Sequence, residues 1–456
     1  MRKKIFALLI FVISALLFSA KYEKQRLDKN INKRGETVLS DSNVLVRTQI
    51  PRLKEKRFAD KRILVKFKPF LPVFKIEEII KNYEIRKLRK IEHLGISVLE
   101  IPEDKTVEEM IYLLNQNPDV EYAEPDYVAY ILVTPNDTFF KYQYNLYNSG
   151  QRVAPPGVPG APSGKERADI KATAAWEETK GDDDIVIAIL DTGVELTHPD
   201  LKNKIFSSGR DFVNEDFDAS DDNGHGTYVA GIAAAETNNS EGIAGVAWNC
   251  KILPVKVMNE DGEGYYSWIV DGLIWAVDQG AEVINFSIGG EASSFSLEEA
   301  VKYAYEKDVL IAAAAGNEGS SVLYPAAYDA YCLAVAASDY DDSTPDWSNY
   351  GPEVDVSAPG VWILSLWPEN LTPSGYLPYV WGNGTSASTP HVSGFAALIK
   401  SIKPWLSARE IMSVIRYSAD DINSSFHPGK DDFAGYGRIN MEKGLVPIKI
   451  RLSLQN

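Results

Sequence analysis

Four short stretches carry residue types suited to chemistry at a carbonyl group. Asp191 directly follows the apolar run Val186–Leu190 and opens Asp191-Thr192-Gly193. Catalytic groups in open α/β sheets gather at the carboxyl ends of strands; a lone Asp there can equally cap a helix or ligate a metal. His225 lies in Asn223-Gly224-His225-Gly226-Thr227. Flanking glycines leave an imidazole uncrowded, and its basicity suits proton transfer near neutrality. The plainer alternative is a buried histidine capping a helix. Ser386 lies in Gly384-Thr385-Ser386-Ala387-Ser388-Thr389-Pro390-His391, ahead of the helix-like run Val392–Ile399. A serine at a helix start sits in a positive field near free N–H groups, which suits an alkoxide and a developing oxyanion; a plain N-cap serine looks the same. Asn317 follows an apolar run and Gly316. Its amide can donate to a carbonyl oxygen becoming tetrahedral, although asparagine is also common in turns.

Such groups need a rigid frame. Apolar runs recur at Ile185–Leu190, Ile252–Val257, Val283–Ile288, Val309–Ala315, Leu333–Ala336 and Val354–Ala358. Helical stretches lie between several of them, including Ser267–Gln279, Leu297–Lys307 and Thr389–Ile402. Near-continuous apolar strands alternating with helices imply an α/β domain, a parallel sheet with helices on both faces, over residues 133–448. A smaller α+β unit of ferredoxin-like type is expected over 62–132. It has strands at Arg62–Phe67 and Leu94–Ile101, helices at Ile76–Lys81 and Thr106–Asn115, and extended segments at Val120–Ala123 and Tyr127–Val133 around Pro125. Residues 21–61 read as a linker and 449–456 as a short tail.

Arg2, Lys3 and Lys4 precede the apolar run Ile5–Leu17, the pattern of a signal peptide over residues 1–20. The run is short for a membrane-spanning helix. Phe18 is a poor residue three places before a cleavage site, which leaves an uncleaved membrane anchor open. A secreted protein of the extracellular space or cell envelope is expected.

The 456 residues are 45% hydrophobic and 24% charged, which excludes disorder, collagen and coiled coil. Two cysteines exclude a disulfide-stapled scaffold and a thiolate metal cluster; Cys250 and Cys332 read as separate buried thiols. A net charge of −17 excludes broad nucleic-acid binding. Residues 1–134 carry net +6 and residues 135–456 net −23. This suggests electrostatic complementarity between the segments as readily as a solvated acidic surface.

The stretches Ile189-Leu-Asp-Thr-Gly193 with His198-Pro-Asp-Leu201, Asn223–Thr227, Ala314-Ala-Gly-Asn317, and Gly384-Thr-Ser386 with Pro390-His391 occur in the order Asp, His, Ser. Over residues 135–441 the chain resembles the subtilisin-family serine proteases (subtilases), in particular the thermitase-like group. The resemblance implies a serine endopeptidase acting through an acyl-enzyme. Ser386 becomes the nucleophile, His225 the general base and then acid, and Asp191 its orienting partner. Asn317 and the Ser386 N–H become the oxyanion hole. Three features depart from the common family pattern: Ala387 after the serine, Tyr228 three residues after His225, and a longer stretch between Gly360 and Gly384. That stretch is rich in aromatics (Trp362, Trp367, Tyr376, Tyr379 and Trp381) and reads either as a wall on the leaving-group side or as a packed surface loop.

The same resemblance implies protein and peptide substrates bound as an added strand between backbone edges at Gly262–Gly264 and at Ser287, Ile288 and Gly289. Ala313, Ala315 and Gly316 would line the pocket before the scissile bond, with Leu323 as its floor. It implies Ca²⁺ at two sites. Asp137, Asp200 and Asn239 form the first, with carbonyls near Glu236, Glu241 and Ile243. Asp211, Asn214, Asp216 and Asp218 form the second. Independently of the family, six acidic residues between Asp211 and Asp222 would be relieved by a hard cation held by oxygens. Residues 62–132 resemble the inhibitor propeptide, with Tyr127–Leu132 as the strand that blocks the cleft of a self-processed zymogen. No nucleic-acid partner and a monomer are expected. A non-catalytic peptide-binding module and a specific processing protease are the competing classes. The first would lack a triad residue, and the second normally carries a further C-terminal domain.

Overall fold

The computed structural model describes residues 58–127 and 134–445. The expected signal peptide, most of the expected linker, the segment 128–133 and residues 446–456, with the expected tail, lie outside the described residues. The chain divides into two compact units, Met1–Ala129 and Tyr130–Asn456. No helix among the described residues is long and apolar enough to cross a membrane.

In the first unit, Ile63, Val65 and Phe67 are buried while their neighbours are partly exposed, the period-two pattern of a half-buried strand. This strand, β1 (Phe58–Phe67), is followed by α1 (Val73–Asn82), β2 (Arg86–Ile91), β3 (Ile96–Glu100), α2 (Val107–Asn115) and β4 (Val120–Tyr127). The sheet order is β2-β3-β1-β4, with antiparallel pairs throughout. The helices close one core with Ile79, Leu99, Met110 and Leu114. Thr106 and Glu109 form a reciprocal capping box at the start of α2.

Three details differ from the sequence expectation. β1 begins at Phe58, inside the expected linker, where Phe58 pairs with Tyr127. β4 continues through Pro125 instead of breaking there, because it is an edge strand that tolerates a missing donor. β2, Arg-Lys-Leu-Arg-Lys-Ile, has no apolar alternation because it is the other edge and five of its six residues are exposed.

The second unit contains, in order, α3 (Ala172–Ala175), β5 (Val186–Asp191), β6 (Arg210–Asp211), α4 (His225–Ala234), β7 (Lys251–Lys256), α5 (Tyr266–Asp278), β8 (Val283–Phe286), α6 (Phe295–Glu306), β9 (Leu310–Ala314), β10 (Cys332–Ser338), β11 (Val354–Pro359), β12 (Ile363–Leu366), β13 (Tyr379–Gly382), α7 (Thr385–Ile402), α8 (Ala408–Ser418) and α9 (Met441–Leu445). Seven strands form one parallel sheet in the order β11-β10-β9-β8-β5-β7-β6. Every residue of β5 is buried, which explains its unbroken apolar run. Ile187 and Ile189 belong to the core shared with α4 and α7. Val186, Ala188 and Leu190 belong to the core shared with α5 and α6. The sheet is thus sealed on both faces, and Asp191 stands at the carboxyl end of β5, an interior strand between β8 and β7. Cys250 and Cys332 are free and buried.

The expected strand 283–288 ends at Phe286, so Ser287 and Ile288 lie beyond the sheet. The expected helix from Thr389 begins four residues earlier, at Thr385, which puts Ser386 in its first turn and Pro390 inside it. Proline removes the N–H that would bond the carbonyl four residues back. That carbonyl belongs to Ser386, and it accepts the Ser287 hydroxyl at 2.9 Å instead. The aromatic stretch folds into an antiparallel hairpin, β12 with β13. It is tied to α4 by the Tyr228 hydroxyl on the Ile363 carbonyl and the Ser365 hydroxyl on the Tyr228 carbonyl.

Phe395 is fully buried on α7. Phe395→Ala should cost about 3–5 kcal/mol, read as a lowered thermal midpoint. A midpoint unchanged from wild type would contradict this packing.

Candidate active site

Burying a carboxylate is costly unless it is paired. Asp191 is fully buried. Its Oδ1 accepts from the Thr192 N–H at 2.8 Å and lies 2.7 Å from His225 Nδ1. Burial, the largest single influence, disfavours the charged imidazole, but a third of that side chain stays exposed. The Asp191 charge and hydrogen bond, with a further contribution from Asp221, prevail and hold the His225 pKa above 6.5.

His225 opens α4. A Cβ at Gly226 would lie 1.9 Å from the Gly193 carbonyl oxygen. This glycine therefore serves the close approach of α4 to the loop after β5, rather than merely uncrowding the imidazole. Gly224, on the other side, lies against the Trp367 indole, where a Cβ would come within 2.5–2.8 Å of three ring carbons.

Asn317 Oδ1 accepts from the Thr385 N–H at 2.8 Å and from its hydroxyl at 3.0 Å. That fixes the amide's acceptor end and leaves its NH₂ to donate elsewhere. Gly384, at φ +148°, precedes α7; a Cβ there would meet Ser386 Oγ at 3.0 Å and Asn317 Nδ2 at 3.6 Å. Its absence leaves open a space bounded by the hydroxyl and the amide. Ser386 Oγ makes no hydrogen bond among the described residues. Its N–H is one of the four at a helix start that lack an intrahelical acceptor. The arrangement supplies a hydroxyl, a base and two donors, the parts required for attack on a carbonyl.

One of the two expected backbone edges touches the start of α7. The Ser287 hydroxyl reaches the Ser386 carbonyl. Leu323 lies between Gly289 and Gly316, where Cβ atoms would meet its side chain at 3.0 and 2.9 Å. Ile288 is partly buried against the second core. On the other edge, the Gly262 N–H closes a turn on the Asn259 carbonyl. Gly264 packs against Met258 and the Val257 carbonyl, and Asn223 Nδ2 donates to the Glu260 carbonyl at 2.9 Å. Ala313 and Ala315 are fully buried. Both belong to the core shared with α5 and α6.

Several residues that organise this site carry no motif signal. Asp221 accepts five hydrogen bonds. Lys256, nearly fully buried, donates to the Thr192 carbonyl, the Asp222 carboxylate and the Met258 carbonyl at 2.7, 2.6 and 3.1 Å. It ends a strand expected to be wholly apolar, and only the interruption of that run by a lysine could have flagged it.

The acidic segment 211–222 holds the residues expected at the second cation site. Asp211 Oδ1 accepts the N–H groups of Val213 and Asn214, and its Oδ2 accepts Asn214 Nδ2. Asp216 caps Asp218, and Asp218 caps Ser220. Asp222 is paired with Lys256. Turn N–H groups and one lysine thus contact these carboxylates. Asp211, Asp216 and Asp218 do not gather into one ligand cluster. The group that does so among the described residues is Asp182, Asp183 and Asp184. These three are exposed, could hold a metal ion, and lie before β5, at the opposite end of that strand from Asp191.

The residues expected at the first cation site are brought together. Asp137 and Asp200 are buried and have no lysine or arginine partner among the described residues. Asn238 N–H donates to both Asp137 oxygens at 2.9 Å. Asp200 accepts from Asn239 Nδ2 at 2.8 Å and from the Ile243 N–H at 2.9 Å. Burial raises the Asp200 pKa to about 6, with Asp137 and Glu241 adding to the effect. Burial also raises that of Asp137. Two buried, uncompensated carboxylates beside an oxygen-rich loop fit a hard cation. The Glu236 side chain turns away and accepts from Asn203, so only its backbone faces this loop.

The subtilase family model matches residues 182–437, and a model of the fervidolysin N-terminal prodomain matches residues 46–126. The chain is 44% identical over 336 residues to the thermophilic serine proteinase of Bacillus sp. (strain AK1), covering 73% of this chain and 75% of that one. It is 42% identical over 276 residues to thermitase of Thermoactinomyces vulgaris, covering 60% and 93%. A solved protease structure from Pseudoalteromonas arctica superposes with a TM-score of 0.58 at 29% identity, covering 69% of this chain and 99% of that one. With these matches added to the geometry, the chain belongs to the subtilase family, as a subtilisin-type serine protease with an N-terminal prodomain.

Proposed function

We propose that the protein is a secreted, calcium-stabilised serine endopeptidase made as a self-processed zymogen. The observation that carries the reading is the 2.7 Å contact of His225 Nδ1 with buried Asp191, together with the Ser386 hydroxyl and the Asn317 amide bordering one open space at Gly384. Ser386 Oγ attacks the substrate carbonyl while His225 Nε2 takes its proton. Asp191 holds the tautomer and stabilises the imidazolium. The Asn317 amide and the Ser386 N–H receive the oxyanion. His225 then protonates the leaving amine, and water, activated by the same imidazole, releases the acyl group from Ser386. The peptide lies as an added strand between Gly262–Gly264 and Ser287–Gly289. Leu323 makes the preceding pocket shallow and apolar.

Calcium fits the Asp137–Asp200 site, with Asn239 and the carbonyls of Glu236, Glu241 and Ile243. There it would join the 136–139 segment to the 237–243 loop and offset two buried charges. The prodomain is read as the inhibitor of its own protease. The basic amino terminus ahead of the apolar run supports export.

Ser386→Ala should lower proteolysis by about 10⁶-fold and Asn317→Ala by about 10²–10³-fold, both with unchanged folds by circular dichroism. Near-wild-type cleavage by freshly purified Ser386→Ala would refute the assignment. Chelation of the mature enzyme should lower its melting temperature and added Ca²⁺ restore it, with about 2.7 kcal/mol gained at a free concentration 100-fold above the dissociation constant. Superimposable melts after verified metal removal would refute the site. Wild type should yield a mature amino terminus between residues 131 and 135, while full-length Ser386→Ala stays intact. A start well outside that window, or processing of purified Ser386→Ala, would contradict self-cleavage there.

A further inference from the structure

Asp221 is 3% exposed, four residues before His225, and both its oxygens are engaged. Oδ1 accepts the Thr192 hydroxyl at 2.8 Å, the Asn223 N–H at 3.1 Å and the Gly224 N–H at 2.8 Å. Oδ2 accepts the Thr227 N–H at 2.8 Å and its hydroxyl at 2.6 Å. The Thr192 hydroxyl also accepts the Gly226 N–H at 3.0 Å, and the Thr227 hydroxyl accepts the Glu195 N–H at 2.9 Å. The residues on either side of His225 are therefore tied, directly or through one hydroxyl, to a single buried carboxylate. Through Thr192 that carboxylate also holds the loop beginning at Asp191.

We infer that Asp221 is a positioning residue for His225, clamping the first turn of α4 to the end of β5 so that the imidazole meets Asp191. The inference rests on the triad reading above. A turn cap alone needs one or two N–H groups. Asp221 instead joins two separate elements, and its donors are those flanking the catalytic imidazole and carboxylate. Its charge also favours the imidazolium.

The charged groups around this clamp are few. Asp191 faces His225 from β5. Glu195, in the loop after β5, is close enough to feel Asp221, and its carboxylate accepts the Glu369 N–H. Asp222 is neutralised by Lys256 from β7. Removing the Asp221 charge therefore takes away a negative group that acts on His225 without a compensating one.

The test is kcat/KM against pH for a chromogenic peptide, on active-site-titrated mature enzyme, with Ser386→Ala, its prodomain removed by an added protease and its concentration taken from absorbance, as control. His225 must be neutral to act as base, so the acid limb follows its pKa, above 6.5 in wild type. Asp221→Asn should lower kcat/KM by about 10²-fold and move the acid limb to lower pH. Thr192→Val keeps the charge but loses two ties; it should lower kcat/KM about tenfold and leave the limb in place. Wild-type kcat/KM and limb in Asp221→Asn, with Ser386→Ala inactive, would overturn the inference. An active Ser386→Ala would overturn the triad reading instead. If Asp221→Asn does not accumulate folded, Thr192→Val decides alone: wild-type kcat/KM would overturn the clamp.

Discussion

A carboxylate sealed at the end of a parallel strand is the constraint on which this site depends. Asp191 has no exposed surface, and an ion of its size loses several kcal/mol on leaving water unless partners replace the solvent. The Thr192 N–H and the His225 imidazole supply that replacement at Oδ1, while the buried Oδ2 has no hydrogen-bond partner among the described residues. Because the partner is the imidazole, the segment bearing His225 must be held against the strand end to within tenths of an ångström. Gly226 lets the backbones approach, and Lys256 ties the Asp191 loop to the Asp222 carboxylate and to the start of the substrate edge.

The Ser386 side is built by the opposite strategy, from unmet backbone valence. Pro390 frees the Ser386 carbonyl and Ser287 occupies it, so the start of α7 is locked to the end of β8. Thr385 accepts the Gly316 N–H and donates to Asn317. One threonine thereby fixes the turn after β9 and the amide that follows it. Three neighbouring strand ends, β5, β8 and β9, and two helix starts, α4 and α7, meet through these few contacts. A sheet buried on both faces provides the stiffness.

The main domain was legible because its strands are buried on both faces and read as continuous apolar runs, as in Val186–Leu190. The four motif residues stood out in the sequence because chemistry restricts their types. What escaped were polar residues whose role is set by distant partners. Asp221 looked like one charge in an acidic stretch suited to a cation, yet its oxygens are filled by N–H and hydroxyl donors from two elements. Lys256 sits in a run that otherwise reads as apolar. β2 was missed because an edge strand with five exposed residues has no period. The helix start at Thr385 was placed late because local signals put Pro390 in the first turn, whereas a tertiary hydroxyl compensates for a proline farther in.

The most direct measurement is a crystal structure of the mature enzyme with a peptide boronic acid. The account requires a tetrahedral boron bonded to Ser386 Oγ, one boron hydroxyl within 3.1 Å of Asn317 Nδ2, and the peptide paired with the Gly262–Gly264 and Ser287–Gly289 edges. Boron bonded elsewhere, or to Ser386 with no oxygen facing Asn317, would contradict it.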